Sequence, residues 1–282
     1  MKLLELSDYF KQSLIDLYDE DEAQSIFFIT IDSLLNYNRS AFLVNKQRLI
    51  TDAEFAAFEN VISSLKSGKP IQYILGEAYF YGLKFKVNQA VLIPRPETEE
   101  LVEWILDEIA NSLEINILDI GTGSGCIAIA LKRNQPLANV YALDIAIDTI
   151  ATAKENALLN NAEIFFITDD ILNSTTSFDK KIDIIISNPP YIKEDEKQAM
   201  HQNVLANEPH RALFVTNENP LIFYNAIAEF AMENLADHGL LFFEINEYLG
   251  KETVSLLQHK GFNNIELRKD MQGKDRMVKA SL

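Results

Sequence analysis

Asn188-Pro189-Pro190-Tyr191 joins a side-chain amide, two consecutive prolines and an aromatic ring in one short stretch, and its stiffness gives it chemical use. Pro190 restricts Pro189, and Pro189 restricts Asn188, to extended backbone geometry. Carbonyl groups held in this way cannot swing off to other partners. The Asn188 side-chain oxygen and the Pro189 carbonyl can then both accept hydrogen bonds from one planar –NH2 group, with Tyr191 as an aromatic surface beside it. Such a pair suits an amide or an exocyclic amine, whose nitrogen lone pair is delocalised and which is a poor nucleophile until positioned. Taken alone, the tetrapeptide also fits an ordinary proline turn after a strand.

A second chemical stretch is Gly121-Thr122-Gly123-Ser124-Gly125, preceded by Asp119 and followed by the helical pattern Cys126 to Leu131. Strand, glycine-rich turn and helix in that order make a nucleotide-type site, because glycines let the backbone approach a ligand closely. A dinucleotide fingerprint would need a further glycine where Cys126 stands, which weakens a dehydrogenase assignment. Asp144 ends the next strand roughly twenty residues on, where an acid can bind both hydroxyls of a ribose. Asp170 and Ile171 end a third, where a carboxylate can accept from an adenine amino group while Ile171 packs on the ring. Each acid singly could be a helix cap. Three acidic strand ends on the edge that also carries Asn188 are harder to attribute to capping.

These residues need a parallel sheet to hold them. The β-branched run Ile182 to Ile186 reads as a buried strand, which two prolines then end, so Asn188 sits at its carboxyl end, where open α/β sheets bind ligands. Asn116–Ile120, Val140–Leu143, Ile164–Ile167 and Leu240–Glu244 supply further strands, and Ile265–Leu267 with Met277–Ala280 predicts a closing antiparallel pair. The expected fold is therefore α/β, a doubly wound, mostly parallel seven-stranded sheet with an antiparallel C-terminal strand. Residues 95–282 would form this domain, with a β-hairpin connector over 77–94 around Tyr79 to Val87. Residues 1–76 read as a small helical bundle, with apolar stripes at Leu3, Leu6, Phe10, Leu14 and Leu17, and at Ile26, Phe27, Ile29, Leu34 and Leu35. Its third helix opens with the capping box Thr51-Asp52-Ala53-Glu54 and closes at Ser67-Gly68-Lys69-Pro70.

At 282 residues, 48% of them hydrophobic, the chain can bury a full core. A net charge of −17 repels phosphate backbones and disfavours a long nucleic acid as partner. One cysteine, Cys126, excludes an intrachain disulfide, and four scattered histidines lack metal-ligand spacing, so no metal is expected. No membrane span or signal peptide is legible, which predicts a cytoplasmic protein without a membrane partner. Arg95, bracketed by prolines, and Glu99 either tie their loop to the site or are solvated loop charges.

Asp119 to Gly125, Asp144, Asp170 and Asn188-Pro189-Pro190-Tyr191 resemble class I S-adenosylmethionine-dependent methyltransferases of planar nitrogens. Gly68 to Gly76, Leu92 to Glu99, Glu208-Pro209 with Ala212-Leu213, and Lys269-Asp270 with Gly273 and Asp275-Arg276 are similar to the peptide chain release factor N5-glutamine methyltransferase family, over nearly the whole chain. The resemblance implies S-adenosyl-L-methionine as methyl donor, S-adenosyl-L-homocysteine as product, and the glutamine of a Gly-Gly-Gln motif in bacterial release factors as acceptor. It implies that Asn188 and Pro189 hold the substrate amide, with Pro190 and Tyr191 beside them. Gly121, Thr122, Gly123, Ser124 and Gly125 would receive the methionine portion, Asp119 its amino group, Asp144 the ribose, and Asp170 with Ile171 the adenine. The N-terminal bundle would contact the release factor, and the protein would act as a monomer without direct nucleic-acid contact. Rival substrates for the same turn are a glutamine of a ribosomal protein and adenine N6 of DNA or RNA. One departure from the family pattern is Glu244-Ile245-Asn246, where Glu-Ile-Gly is expected, followed by Glu247-Tyr248-Leu249 where glutamines are common.

Overall fold

A computed structural model describes residues 1–109 and 114–282. The described chain divides into two units, Met1–Gly76 with His201–Asn207, and Glu77–Met200 with Glu208–Leu282.

In the first unit, helices α1 (Leu3–Leu14), α2 (Glu20–Leu35), α3 (Arg39–Asn45), α4 (Asp52–Lys66) and α5 (Ile71–Leu75) surround an aromatic core. Phe10, Phe27 and Phe58 are fully buried and meet with ring centroids 5.6 to 6.2 Å apart. The α1 stripe is buried at Leu3, Leu6, Phe10 and Leu14. Leu17 is exposed because the helix has already ended, and in α2 the buried side is Ala23, Ile26, Phe27, Thr30 and Ile31, leaving Ile29 and Leu34 at the surface. The capping box forms: Thr51 Oγ1 accepts from the Glu54 N–H at 3.2 Å, and Glu54 returns the bond to Thr51 N–H at 2.8 Å.

The second unit opens with the hairpin β1 (Glu77–Phe80) and β2 (Leu83–Lys86). Tyr81 (φ +49°) and Gly82 (φ +72°) form its two-residue loop, both left-handed, which matches the twist of the strands. Then follow α6 (Pro96–Glu108), β3 (Asn116–Ile120), α7 (Cys126–Asn134), β4 (Asn139–Asp144), α8 (Ile147–Leu159), β5 (Phe165–Thr168) and β6 (Ile182–Ser187). Short strands β7 (Ile192–Lys193) and β8 (Phe214–Val215) pair with each other, while α9 (Gln202–Asn207), between them in sequence, belongs to the first unit. The chain closes with α10 (Ile222–Asn234), β9 (Leu235–Glu244), α11 (Gly250–Lys260), β10 (Asn263–Lys269) and β11 (Asp275–Ser281).

Among the described residues the main sheet has seven strands in the order β10-β11-β9-β6-β3-β4-β5, with β11 antiparallel to both neighbours and all other pairs parallel. Side-chain alternation builds two cores. Ile117, Val140, Ile184 and Phe242 pack under α6 and α7, while Leu118, Leu143, Ile185 and Phe243 pack under α10 and α11. No helix among the described residues is long and apolar enough to cross a membrane.

Candidate active site

From β3 the chain winds outward through β4 and β5, then returns to β6 on the other side of β3 and continues to β9. The order reverses between β3 and β6, and a crevice must open beyond their carboxyl ends. A cavity of about 310 Å³ lies there. Of the residues singled out from the sequence, Gly121, Thr122, Gly123, Ser124, Asp144, Asp170, Ile171, Asn188, Pro189 and Pro190 line it, whereas Asp119, Gly125 and Tyr191 do not.

The glycine loop is held from beneath. Gly121 and Thr122 donate their N–H groups to the Leu143 carbonyl at 2.8 and 3.0 Å, and Gly123, at φ +57°, donates to Asp144 Oδ2 at 3.0 Å. Asp144 Oδ1 accepts from Ala146 N–H at 3.1 Å, so two backbone donors aim this carboxylate. Burial raises its pKa above the ordinary carboxylate value, opposed by those two bonds. Gly125, at φ +81°, serves packing: a Cβ there would stand 3.0 Å from Ile129 Cδ1 and 3.2 Å from Ala153 Cβ, where α7 meets α8. Asn156 of α8 is fully buried and ties the loop to the hairpin, donating to the Ser124 and Lys86 carbonyls at 2.9 Å each.

Asp119 is completely buried under the loop, with Oδ2 accepting from Thr122 Oγ1 at 2.6 Å. Its Oδ1 has no hydrogen-bond partner among the described residues, and neither has the buried Ser124 Oγ. Burial lifts the Asp119 pKa to about 7. At the third strand end, Asp170 caps a short turn, accepting from Leu172 N–H and Asn173 Nδ2 at 3.0 Å each. The neighbouring Asp169, also at the cavity, accepts from Ser174 Oγ at 2.6 Å and Thr176 Oγ1 at 2.5 Å, which lowers its pKa.

Behind the proline turn lies a buried polar network. Asn188 Nδ2 donates to Thr98 Oγ1 at 3.3 Å, Thr98 donates to Glu244 Oε2 at 2.6 Å, and Tyr191 donates its hydroxyl to Glu244 Oε1 at 3.0 Å. Burial raises the Glu244 pKa, and burial with the Glu244 charge raises that of Tyr191. Arg276, paired with Asp270 at 3.1 Å, opposes both rises. Asn246, the departure from the family pattern, bonds the Tyr191 carbonyl at 3.0 Å and Glu196 Oε1 at 3.1 Å, so it fastens the segment leaving the turn.

Arg95 lines the cavity and pairs with the buried Glu208 at 2.5 Å, while Glu99 accepts from Tyr81 N–H at 2.9 Å. The Leu92 to Arg95 loop and the first turn of α6 are thus held by Glu208 on one side and the hairpin on the other. Thr98, Arg211 and Asn156 carry weight here that the sequence did not single out, and Glu208 and Glu244, quoted there only within motifs, prove to be buried partners of Arg95 and Thr98. Arg211 lines the cavity and reaches Asp148 Oδ1 at 2.8 Å. A polar residue inside an apolar helical stripe, as Asn156 is between Ala153 and Ala157, was the readable sign for one of them.

The sheet order, its single antiparallel strand and the cavity at the switch point define a class I methyltransferase fold. A methyltransferase from Pyrococcus furiosus superposes with a TM-score of 0.52 at 15% identity, covering 78% of this chain and 96% of that one. The family model "Methyltransferase small domain" matches residues 98–273, and "PrmC N-terminal domain" matches residues 5–76. Release factor glutamine methyltransferase of Flavobacterium psychrophilum is 48% identical over 275 residues, 96% of each chain. The protein of the same description from Bacteroides thetaiotaomicron is 40% identical over 276 residues, 98% of this chain and 99% of its own. The chain belongs to the release factor glutamine methyltransferase family.

Proposed function

We propose that the protein transfers a methyl group from S-adenosyl-L-methionine to the side-chain amide nitrogen of the glutamine in the Gly-Gly-Gln motif of peptide chain release factors. The observation that carries this reading is the fixed amide of Asn188, with its NH2 engaged by Thr98 and the stiff Pro189 next to it on the cavity wall. Asn188 Oδ1 and the Pro189 carbonyl accept the two N–H groups of the glutamine amide and hold its nitrogen in line for attack. Acceptors so placed become more favourable as positive charge develops on that nitrogen. Positioning of this kind removes a large part of the barrier, on the order of several kcal/mol. Tyr191 keeps its proton, bonded to Glu244, and supports the turn rather than acting as a base.

The cavity fits a nucleoside with a charged tail. Asp144 presents its remaining lone pairs to ribose hydroxyls, and Asp170 with Ile171 borders the adenine. Ser124 Oγ, buried without a partner at the cavity, is suited to the amino-acid end. S-adenosyl-L-methionine, when bound, supplies an electrophilic sulfonium methyl and leaves as S-adenosyl-L-homocysteine. In this reading residues 1–76 recognise the release factor, residues 77–94 connect, residues 95–282 catalyse, and the protein works as a cytoplasmic monomer.

Mass spectrometry of an unmethylated release factor, incubated with the protein and S-adenosyl-L-methionine, tests the reading. One added methyl on the glutamine after two glycines is the expected result. No added methyl, under conditions where the nucleoside demonstrably binds, would overturn the substrate assignment.

A further inference from the structure

A side-chain amide has two ends of opposite character, and only one of them can accept from a substrate –NH2 group. In the Asn188 side chain the choice is made by two residues far away in sequence. Tyr191 gives its proton to Oε1 of Glu244, and Thr98 gives its single proton to Oε2 at 2.6 Å. Both Glu244 oxygens are thus taken up as acceptors of these two protons. With its proton spent on Glu244, Thr98 Oγ1 can only accept from the amide 3.3 Å away, so Asn188 turns NH2 to Thr98 and Oδ1 away from it. Glu244 and Thr98 are 2% exposed each, so water does not compete for these bonds.

We propose that Glu244 and Thr98 are positioning residues that set the Asn188 amide with its oxygen toward the substrate, and thereby make the site select a glutamine amide over a glutamate carboxylate. The inference rests on Asn188 being the acceptor of the substrate amide. Without Thr98 the amide is free to turn over, and its NH2 then faces the cavity and can bind an acceptor. Glu244→Gln has the same consequence by another route. The new carboxamide can donate to Thr98, which frees the hydroxyl to donate to Asn188 Oδ1 and reverses the amide.

The test compares wild type, Thr98→Val, Thr98→Ser and Glu244→Gln on a release factor with Gly-Gly-Gln and on one with Gly-Gly-Glu, the latter as competitive inhibitor. Thr98→Val is expected to lose about tenfold or more in kcat/KM and to bind the Gly-Gly-Glu protein about tenfold tighter relative to Gly-Gly-Gln, the effect of one hydrogen bond changing sense. Affinity for S-adenosyl-L-methionine should stay within a few-fold, and Thr98→Ser should restore the wild-type preference. A purely structural lesion would weaken both protein ligands together, and an unchanged Gln/Glu preference in Thr98→Val would overturn the proposal. The orientation is also read without substrate, from the Asn188 side-chain amide protons in NMR of the 15N-labelled protein. They should exchange slowly in wild type and in Thr98→Ser and fast in Thr98→Val; equal exchange in all three would refute the relay. If wild type methylates no Gly-Gly-Gln protein, the functional reading fails while this NMR comparison still decides the relay.

Discussion

Asp119 gives a quantitative handle on the glycine loop. Its carboxyl is completely buried, one oxygen has no hydrogen-bond partner among the described residues, and burial moves its pKa from the ordinary 3.8 to about 7. In the unfolded chain the group loses its proton near 3.8, whereas the folded protein keeps it until about 7. The folded state therefore binds more protons across that window, and stability falls as pH rises through it. At 1.36 kcal/mol per pH unit, the ionised group costs on the order of 4 kcal/mol once both states have lost the proton. Between pH 5 and 8 about 3 kcal/mol of this remains to be expressed. Asp119→Asn removes the ionisation and keeps an acceptor for Thr122. Urea denaturation of both proteins at intervals from pH 5 to 8, without added nucleoside, should show the variant gaining about 3 kcal/mol on wild type as pH rises. Parallel stability profiles for variant and wild type would refute the assignment of a buried, reluctantly charged carboxylate at this position.

Three further substitutions probe the loop, the ribose end and the turn. Gly125→Ala places a methyl 3.0 Å from Ile129 Cδ1 and 3.2 Å from Ala153 Cβ at φ +81°, and should destabilise the fold by about 1–3 kcal/mol in chemical denaturation; a loss below about 0.5 kcal/mol would mean that α7 and α8 yield freely. Asp144→Ala removes the carboxylate aimed by Gly123 and Ala146, and calorimetry should find S-adenosyl-L-methionine bound about tenfold to a hundredfold more weakly; unchanged affinity would put the ribose elsewhere. Asn246→Gly, which installs the residue expected from the family pattern, takes away the bonds to the Tyr191 carbonyl and Glu196, and should cost about 1–3 kcal/mol; equal stability would show that this chain gains nothing from its asparagine.

What the sequence showed was local. Ile182 to Ile186 announces its strand by β-branching, and the prolines after it place Asn188 at the sheet edge, because strand period and proline geometry act over a few residues. Gly121, Gly123 and Asp144 were legible for the same reason, and their shared cavity follows from the parallel order of β3 and β4. Asp119 lies on the expected strand but does not line the cavity. It shares the face of Ile117, one residue out of step with Leu118 and Ile120, and so points beneath the loop rather than into the cavity. Tyr191 likewise follows the turn, yet its hydroxyl goes to Glu244, 53 residues further on. Thr98 is 90 residues from Asn188 and 146 from Glu244, so no spacing rule joins them. Thr98 lies in the first turn of α6 and Glu244 at the last position of β9, and neither is unusual where it stands. The strand order, which sets β9 beside β6, and the packing of α6 on β9 together make the acid, the hydroxyl and the amide one chain of donors and acceptors. The chemistry at Asn188 is therefore readable as a residue type, while the direction of its amide is a property of the sheet and of the helix packed on it.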